Sequence, residues 1–339
     1  MKSKINVGII GAGRIGQLHA ENLTNRIRGV RVAAITDINI EAARKCASRL
    51  EIPQADSDYR RVMDNPDVDA VIICSSTDTH AGFIEEAAET GKHIFCEKPI
   101  ALDLPEIDRA LTAVKKAGVK LQVGFNRRFD PNFSRIRELI AEGRIGEPHI
   151  LRITSRDPAP PPIEYVKVSG GLFLDMTIHD FDMARFLIGS EVDEVSAIGG
   201  VMIDQEIGKA GDIDTAITNL MFENGVMGTI DNSRKAVYGY DQRVEVFGSA
   251  GMLTAENETP NRVALSTGEA VIQDLPLYFF LERYQESYIR EMQEFINCIV
   301  DDRDPPVSGE DGRMPVVIGK AAMLSFKERR PVKLAEISG

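Results

Sequence analysis

The segment between residues 5 and 16 constrains the fold of this chain more than any other part of its sequence. The apolar run Ile5–Ile10 leads into Gly11-Ala-Gly13-Arg-Ile-Gly16, and a helical pattern begins at Ile15. Glycines at this spacing permit a tight strand-to-helix turn, close approach of a phosphate to the backbone, and close packing of the helix on the strand. The segment therefore predicts a βαβ unit that binds a dinucleotide.

The first 125 residues alternate between apolar strands and amphipathic helices. Strands are predicted at 5–10, 30–36, 70–74, 93–96 and 121–125, and helices at 15–25, 41–50, 81–90 and 105–117. Continuous apolar strands between helices are typical of a parallel sheet that is covered on both faces. We therefore predict an α/β Rossmann domain, a doubly wound parallel sheet, over residues 1–125.

The pattern changes after residue 125. A helix at 131–142, a strand at 149–156 and a helix at 175–188 precede strands at 192–201, 216–222, 226–231 and 243–247. Asn224-Gly225 between two strands is a strong hairpin signal. A long amphipathic helix at 278–300 is expected to pack on this sheet. Residues 126–339 are thus predicted to form an α+β domain for substrate binding and oligomerisation, with an open, mostly antiparallel sheet.

Composition restricts the partners. The chain of 339 residues carries a net charge of −12, which argues against nucleic acid or an anionic membrane as the main partner. No apolar stretch reaches transmembrane length, and Met1-Lys-Ser-Lys runs directly into a strand, so we expect no signal peptide. The four cysteines form no C-x-x-C pair and the five histidines show no metal-ligand spacing. A cytoplasmic protein without a metal site is predicted.

Asp37 bears on the choice of cofactor. It ends the second strand, where a carboxylate suits a ribose diol, and no arginine follows to hold a 2′-phosphate, so NAD is favoured over NADP. The small hydroxyl residues after the third strand are further candidates, although they equally suit helix capping. The predicted cofactor-binding residues are Gly11, Gly13, Arg14, Ile15, Gly16, Asp37, Ser75, Ser76, Thr77, His80 and Glu97. The alternative for His80 is that it only starts a helix and contacts no ligand. The alternative for Glu97 is that it only forms an ion pair with Lys98.

Lys98 is the first candidate for chemistry. It follows the strand at 93–96 and precedes Pro99, which cannot donate to a sheet. Lys98 is therefore expected at the carboxyl end of the fourth or fifth strand, where ligands dock in this fold. Its alternative role is a structural ion pair or a cap at the sheet end.

Asp175 and His179 form a second candidate group. Four residues apart, they are expected on one face of a helix, where the carboxylate fixes the histidine tautomer and raises its basicity. We predict that Lys98 stabilises an alkoxide oxygen while His179 accepts the hydroxyl proton and a hydride passes to a nicotinamide. The alternative is a surface pair or a satisfied core histidine.

Several motifs together resemble the family of glucose–fructose oxidoreductase, inositol dehydrogenase and MocA-type proteins. They are Gly11–Gly16, Cys96-Glu-Lys-Pro99, Gly124-Phe-Asn-Arg-Arg-Phe129 and Asp175-x-x-x-His179. The stretches 153–158 and 231–247 are most similar to the inositol 2-dehydrogenases of that family, which oxidise myo-inositol to scyllo-inosose (2-keto-myo-inositol) with NAD. The resemblance covers the whole chain. It implies catalytic roles for Lys98, Asp175 and His179, and places Asp182 and Tyr240 towards a polyol.

Further expectations concern substrate contacts and assembly. Arg127, Arg156 and Asp157 lie just past strand ends and are candidates for hydroxyl contacts, with ordinary surface charge as the alternative. The resemblance implies that the second-domain sheets pair face to face into homodimers or homotetramers. An open sheet needs such a cover for its apolar face. Ile198, Val201, Ile217 and Ile230 are candidate members of that face.

Other functions remain open from the sequence. The nearest is the same NAD(P)-dependent chemistry on scyllo-inositol, another cyclic polyol or an aldose such as glucose. A reductase working in the opposite direction uses the same residues. A non-catalytic NAD-binding regulator is the alternative of another class, because one fold hosts unrelated functions. The joint presence of Lys98, Asp175 and His179 argues against it.

Overall fold

The computed structural model describes residues 4–337, and the chain divides into two compact units. Of the described residues, the first unit contains 4–126 and 286–314, and the second contains 127–285 and 315–337. The sequence-based division placed all of 126–339 in one domain, whereas the structure groups 286–314 with the first unit. The expectation about a signal peptide rests on residues 1–3, which lie outside the described part.

The secondary structure elements are numbered in chain order. The strands are β1 (Ile5–Ile10), β2 (Val30–Thr36), β3 (Gln54–Asp56), β4 (Ala70–Ile73), β5 (His93–Glu97), β6 (Leu121–Gly124), β7 (Pro148–Arg156), β8 (Val192–Gly200), β9 (Thr215–Phe222), β10 (Met227–Ser233), β11 (Asp241–Gly248), β12 (Gly251–Ala255), β13 (Ala264–Ser266), β14 (Val271–Gln273) and β15 (Val332–Lys333). The helices are α1 (Arg14–Asn25), α2 (Ile40–Leu50), α3 (Arg60–Met63), α4 (Thr77–Glu89), α5 (Leu104–Ala117), α6 (Pro131–Ala141), α7 (Ile163–Val166), α8 (Gly171–Asp175), α9 (Ile178–Ile188), α10 (Gln205–Lys209), α11 (Phe280–Arg283), α12 (Gln285–Val300) and α13 (Gly309–Glu328).

The first unit is built on a six-stranded sheet in the order β3-β2-β1-β4-β5-β6, and every pairing in it is parallel. The strand order reverses between β1 and β4, and in sheets of this kind ligands bind beside that reversal, at the carboxyl ends of the strands. The predicted doubly wound parallel sheet is confirmed. The short elements β3 and α3 were not predicted.

Helix α12 corrects one expectation. It begins at Gln285, and its residues Met292, Phe295 and Ile296 are buried in the core that the first unit's strands and helices form. The ring of Phe295 lies 5.9 Å from that of Phe95 on β5, edge to face. The prediction that this helix packs on the antiparallel sheet is wrong, because an apolar stripe shows that a helix is packed but not against what.

The second unit contains a seven-stranded sheet in the order β12-β11-β7-β10-β9-β8-β15. Its pairings are antiparallel except that between β7 and β10. The sheet is therefore mixed and mostly antiparallel, as predicted. The Asn224-Gly225 turn joins β9 to antiparallel β10, and Gly225 has the positive φ of 86° that favours glycine there.

One face of this sheet carries exposed apolar side chains. Burial alternates along β9, so that Ile217 and Met221 are exposed while their neighbours are buried, and Ile198 on β8 is 66% exposed. The predicted placement holds for Ile198 and Ile217. It is wrong for Ile230, which is fully buried because it pairs with the buried Thr218, whereas the next residue pairs with Ile217. Val201 lies just beyond β8 and is half-buried.

Among the helices that the structure describes, none combines the length and apolar character needed to cross a membrane.

Candidate active site

The glycine-rich loop between β1 and α1 has the geometry of a phosphate cradle. A Cβ on Gly11, whose φ is 105°, would lie 2.5 Å from the Cys74 carbonyl oxygen, and one on Gly16 would lie 1.9 Å from the Gly11 oxygen. A Cβ on Gly13 would meet nothing within 4 Å. Gly11 and Gly16 are thus required by the chain's own packing, while Gly13 leaves open space at the amino end of α1. That end supplies free N–H groups and positive potential to a diphosphate.

Asp37, just after β2, is fixed beside this loop. Its Oδ2 accepts a hydrogen bond from the Ala12 backbone N–H at 2.6 Å, and its Oδ1 accepts one from the Asn39 N–H at 2.8 Å. The following residue, Ile38, is 96% exposed, and an isoleucine at that position offers no positive charge to a 2′-phosphate. A carboxylate at this place suits the adenosine ribose of NAD, and the contact of Asp37 with the cofactor stays a prediction.

The loop after β4 is held by its own side chains. Ser76 precedes α4 and Thr77 is its first residue, while the Ser75 and Thr79 hydroxyls lie 2.7 Å apart. The buried ring of His80 lies between two backbone carbonyls, with Nδ1 2.8 Å from the Pro99 oxygen and Nε2 3.1 Å from the Ser75 oxygen. Burial lowers the pKa of His80. The ring thus ties this loop to the loop after β5, a contact that the sequence did not predict, and its cofactor contact stays a prediction.

Lys98 directly follows β5, the fifth strand, at the carboxyl end of the parallel sheet. It is half-buried, and the Lys98–Pro99 peptide bond is cis. The preceding Glu97 places its Oε1 2.7 Å from Nε2 of His19, a buried residue of α1. The sequence analysis missed His19, although its position three residues after Gly16 places it on the inward face of α1.

Asp175 and His179 are not on one helix, and that expectation is wrong. Helix α8 ends at Asp175 and α9 begins at Ile178. The break is stabilised by Thr177, whose hydroxyl donates to Oδ1 of Asn232 on β10 at 2.8 Å. His179 lies in the first turn of α9 and is half-buried.

Both oxygens of the Asp175 carboxylate are held by donors that the sequence did not reveal. The Tyr165 hydroxyl donates to Oδ1 at 2.8 Å, and Nη1 of Arg234 donates to Oδ2 at 3.1 Å. Arg234 is fully buried, and its Nη2 lies 3.7 Å from Oδ2 of Asp212. Such donors stabilise the charged carboxylate and fix its orientation. The two contacts hold the Asp175 carboxylate in one orientation, at the end of α8.

Asp157 has an unusual acidity. Burial raises its pKa to about 6, and the nearby Asp175 and Asp180 act in the same direction against Arg234 and Arg127. Each of these arginines already has a carboxylate partner: Nη1 of Arg127 lies 2.6 Å from Oδ1 of Asp180, and Arg234 holds Asp175. Because both arginines are shared with other carboxylates, burial prevails and the pKa of Asp157 is raised.

Arg127 and Tyr240, both predicted to contact substrate, are brought together. Nη2 of Arg127 donates to the Tyr240 hydroxyl at 3.3 Å, and both side chains are buried. Burial raises the pKa of Tyr240 well above its usual value, so its hydroxyl stays protonated. The partner Asp180 also accepts from the Asn232 amide at 2.8 Å. This polar network lies on the buried side of the second unit's sheet.

Two further predicted substrate residues, Arg156 and Asp182, form ion pairs within the second unit. Arg156 alternates with the buried Ser155 and therefore lies on the opposite face of β7, where its Nε donates to Asp231 at 2.7 Å. Asp182 is buried in α9, and its carboxylate accepts two hydrogen bonds from Nε and one from Nη2 of Arg128. The charged groups of Arg156 and Asp182 thus form ion pairs within the protein. Within residues 4–337, no group of three or more histidine, cysteine or acidic side chains is placed to hold a metal ion.

The parallel sheet, the glycine cradle and the aspartate after β2 define the class of dinucleotide-binding α/β proteins. Family comparison matches residues 5–125 to the oxidoreductase family with an NAD-binding Rossmann fold, and residues 133–254 to the GFO/IDH/MocA C-terminal domain. The chain therefore belongs to the GFO/IDH/MocA family of NAD-binding oxidoreductases.

Individual relatives extend over the whole chain. It is 51% identical to the myo-inositol 2-dehydrogenase of Thermotoga maritima, across 99% of this chain and 100% of that protein. It is 45% identical to an inositol 2-dehydrogenase of Rhizobium meliloti, across 98% of this chain and 99% of that protein. The solved structure of a Lactobacillus casei scyllo-inositol dehydrogenase with bound NAD(H) and scyllo-inositol superposes with a TM-score of 0.92 at 32% identity, covering 98% of this chain and 99% of that one.

Proposed function

We propose that this protein oxidises myo-inositol to scyllo-inosose, with NAD as the hydride acceptor. The single observation that carries the proposal is the Asp175 carboxylate, fixed by Tyr165 and Arg234 just before His179, in a chain whose first unit has an NAD-binding fold. The names of the relatives from Thermotoga maritima and Rhizobium meliloti support an inositol as substrate.

Three residues divide the chemistry. The fixed negative charge of Asp175 favours a histidine that gains a proton, so His179 accepts the hydroxyl proton as general base. The ammonium group of Lys98 stabilises the negative charge that develops on the same oxygen. NAD, when bound, supplies the acceptor for the hydride that leaves the ring carbon. Stabilising the oxygen and removing its proton lower the barrier together.

The ring hydroxyls need partners of both kinds. Arg127 and Tyr240 supply donors on the buried side of the second unit's sheet, and Asp157, ionised above pH 6, supplies an acceptor. We assign these three residues to substrate binding. Arg156 and Asp182, in contrast, support the surrounding structure through their ion pairs with Asp231 and Arg128.

A second candidate function has a specific observation in its favour. The Lactobacillus casei structure similar to this chain is that of a scyllo-inositol dehydrogenase. Myo- and scyllo-inositol differ in the configuration of one hydroxyl group, so the same residues serve either ring. Oxidation of scyllo-inositol is therefore the alternative.

The remaining proposals concern assembly and location. The exposed apolar face around Ile198, Ile217 and Met221 supports a homodimer or homotetramer formed through the second unit's sheet. All four cysteines are free thiols, which supports a reducing, cytoplasmic environment.

The test is an assay with inositols and aldoses, each with NAD and NADP, in which formation of the reduced cofactor is followed. We expect NAD-dependent turnover of myo-inositol that falls about 10²- to 10⁴-fold in Lys98→Met and in His179→Ala, with NADH binding retained. Lys115→Met, an exposed lysine of α5, is the matched control and should keep full turnover. Absence of turnover with every cyclic polyol would support the regulator alternative, and full turnover in His179→Ala would refute the assigned base.

A further inference from the structure

A buried polar cluster lies in the first unit, apart from the residues assigned above to proton transfer and substrate binding. It consists of His19 on α1, Glu97 at the end of β5, Gln122 on β6 and Glu291 on α12. His19 Nε2 lies 2.7 Å from Glu97 Oε1, and the Gln122 amide donates to the Glu291 backbone oxygen at 2.9 Å. His19, Gln122 and Glu291 are fully buried. The cluster thus joins the helix of the glycine cradle to the strand that precedes Lys98.

Glu291 is the unusual member. It lies on the face of α12 that packs inward, between Tyr288, whose ring is 5.8 Å from that of His19, and Phe295, which packs on Phe95. Among the described residues, neither side-chain oxygen of Glu291 has a hydrogen-bond partner. The side-chain oxygen Oε1 of Gln122 also has no partner among them. An ionised carboxylate in such a place would be strongly destabilised by the loss of hydration.

The neighbouring charges act in the same direction as burial. Burial raises the pKa of Glu291 well above its usual value, and the negative charge of Glu97 raises it further. The other titratable groups near this pair are His19 and the thiols of the half-buried Cys74 and the buried Cys96. Burial also raises the pKa values of the two thiols. Of the two carboxyl groups, Glu97 is the one with a histidine partner and partial contact with solvent.

We propose that Glu291 is a positioning residue that remains a protonated carboxylic acid, so that the cluster contains one negative charge, on Glu97. That charge binds His19 and holds the end of β5, from which Lys98 extends, against the helix of the glycine cradle. A second charge on Glu291 would repel Glu97 and loosen its contact with His19. The link to Lys98 rests on the proposed function, whereas the protonation of Glu291 does not.

Infrared spectroscopy tests the protonation directly. At pH 7 the wild-type protein should show the carbonyl stretching band of a protonated carboxylic acid, and Glu291→Gln should lose it. Glu294→Gln is the matched control, because Glu294 lies on the same helix but pairs with Arg303 near the surface, and it should keep the band. Carboxyl-¹³C-glutamate labelling of the unmutated chain should shift the band, which separates it from Asp157 and needs no variant to fold.

Two further readouts separate a positioning role from a merely structural one. Above the ordinary pKa of glutamate, only the wild-type protein must release a bound proton when it unfolds. The ratio of its unfolding equilibrium constant to that of Glu291→Gln should therefore rise by up to about tenfold per pH unit. Glu291→Gln should keep neutral-pH kcat/KM and extend it to higher pH than wild type. An unshifted band in labelled wild type, or a band and pH profiles unchanged in Glu291→Gln, would overturn the proposal. Wild type without turnover would refute the proposed function alone, because the band and the unfolding measurement remain.

Discussion

The Asp157→Asn substitution should change how stability depends on pH. Burial raises the pKa of Asp157 from the ordinary 3.8 to about 6, so the folded chain holds a proton there that the unfolded chain releases between these values. At about 1.36 kcal/mol per pH unit, this difference corresponds to about 3 kcal/mol. Because Asp157 is partly accessible to solvent, we expect about 1–3 kcal/mol.

The sign follows from the raised pKa. The contribution of Asp157 to wild-type stability is complete below about pH 4 and is lost as the pH rises through about 6. Residue 157 does not titrate in the Asp157→Asn variant. The unfolding free energy of the variant minus that of wild type should therefore increase by this amount between pH 4 and 7, and this difference should stay constant above pH 7.

Urea unfolding at several pH values, followed by circular dichroism and tyrosine fluorescence, measures this difference. Agreement of the two probes checks that the transition is cooperative. Glu269→Gln, an exposed acid on the loop between β13 and β14, is the control and should follow wild type. If the Asp157→Asn difference is independent of pH, then Asp157 titrates normally, and the charge distribution assigned to the Arg127 and Arg234 cluster is wrong.

Three further substitutions test other parts of the account. Tyr165→Phe removes one hydrogen bond to Asp175, which water replaces in part, and should lower kcat/KM about tenfold. Steady-state kinetics measures this loss, and circular dichroism checks that the chain stays folded. Asp37→Ala should weaken NAD binding about 10- to 100-fold while NADP binding changes less, and equal losses in fluorescence titrations would contradict the ribose contact. Phe295→Ala should cost about 3–5 kcal/mol of unfolding free energy, because its ring is fully buried; a loss below 1 kcal/mol would contradict the packing of α12.

The Rossmann half could be read from the sequence because its signals are local. Apolar runs such as Val30–Thr36 and the spacing of Gly11, Gly13 and Gly16 reflect the strand, the turn and the helix directly. The position of Lys98 followed from the same periodicity. These features depend on neighbours within a few residues, which is the range that periodicity reports.

Features set by distant residues were missed. No glycine or proline marks the break between Asp175 and Ile178, since Thr177 is held there by Asn232, 55 residues away. Helix α13 was not predicted because Gly312, Pro315 and Gly319 lower helix propensity. Its glycines are needed for packing: a Cβ on Gly312 would lie 2.6 Å from the Ile100 side chain.

The candidate site shows the same division. Asp175 and His179 were proposed from their spacing, but Tyr165 and Arg234, which fix the carboxylate, lie 10 and 59 residues from Asp175. Nothing in the local sequence distinguishes Arg234 from a surface arginine. Its function in the site is visible only once β10 and the α8–α9 break are in place.

Transfer of deuterium from the substrate to the cofactor tests the central claim most directly. Wild-type protein is incubated with NAD and myo-inositol carrying deuterium at C2, and the reduced cofactor and the cyclic ketone product are analysed by mass spectrometry. The account predicts one deuterium in each reduced cofactor and a product, scyllo-inosose, without it. Reduced cofactor without deuterium would place the reaction at another carbon, and no reduction with any inositol would contradict the proposed function itself.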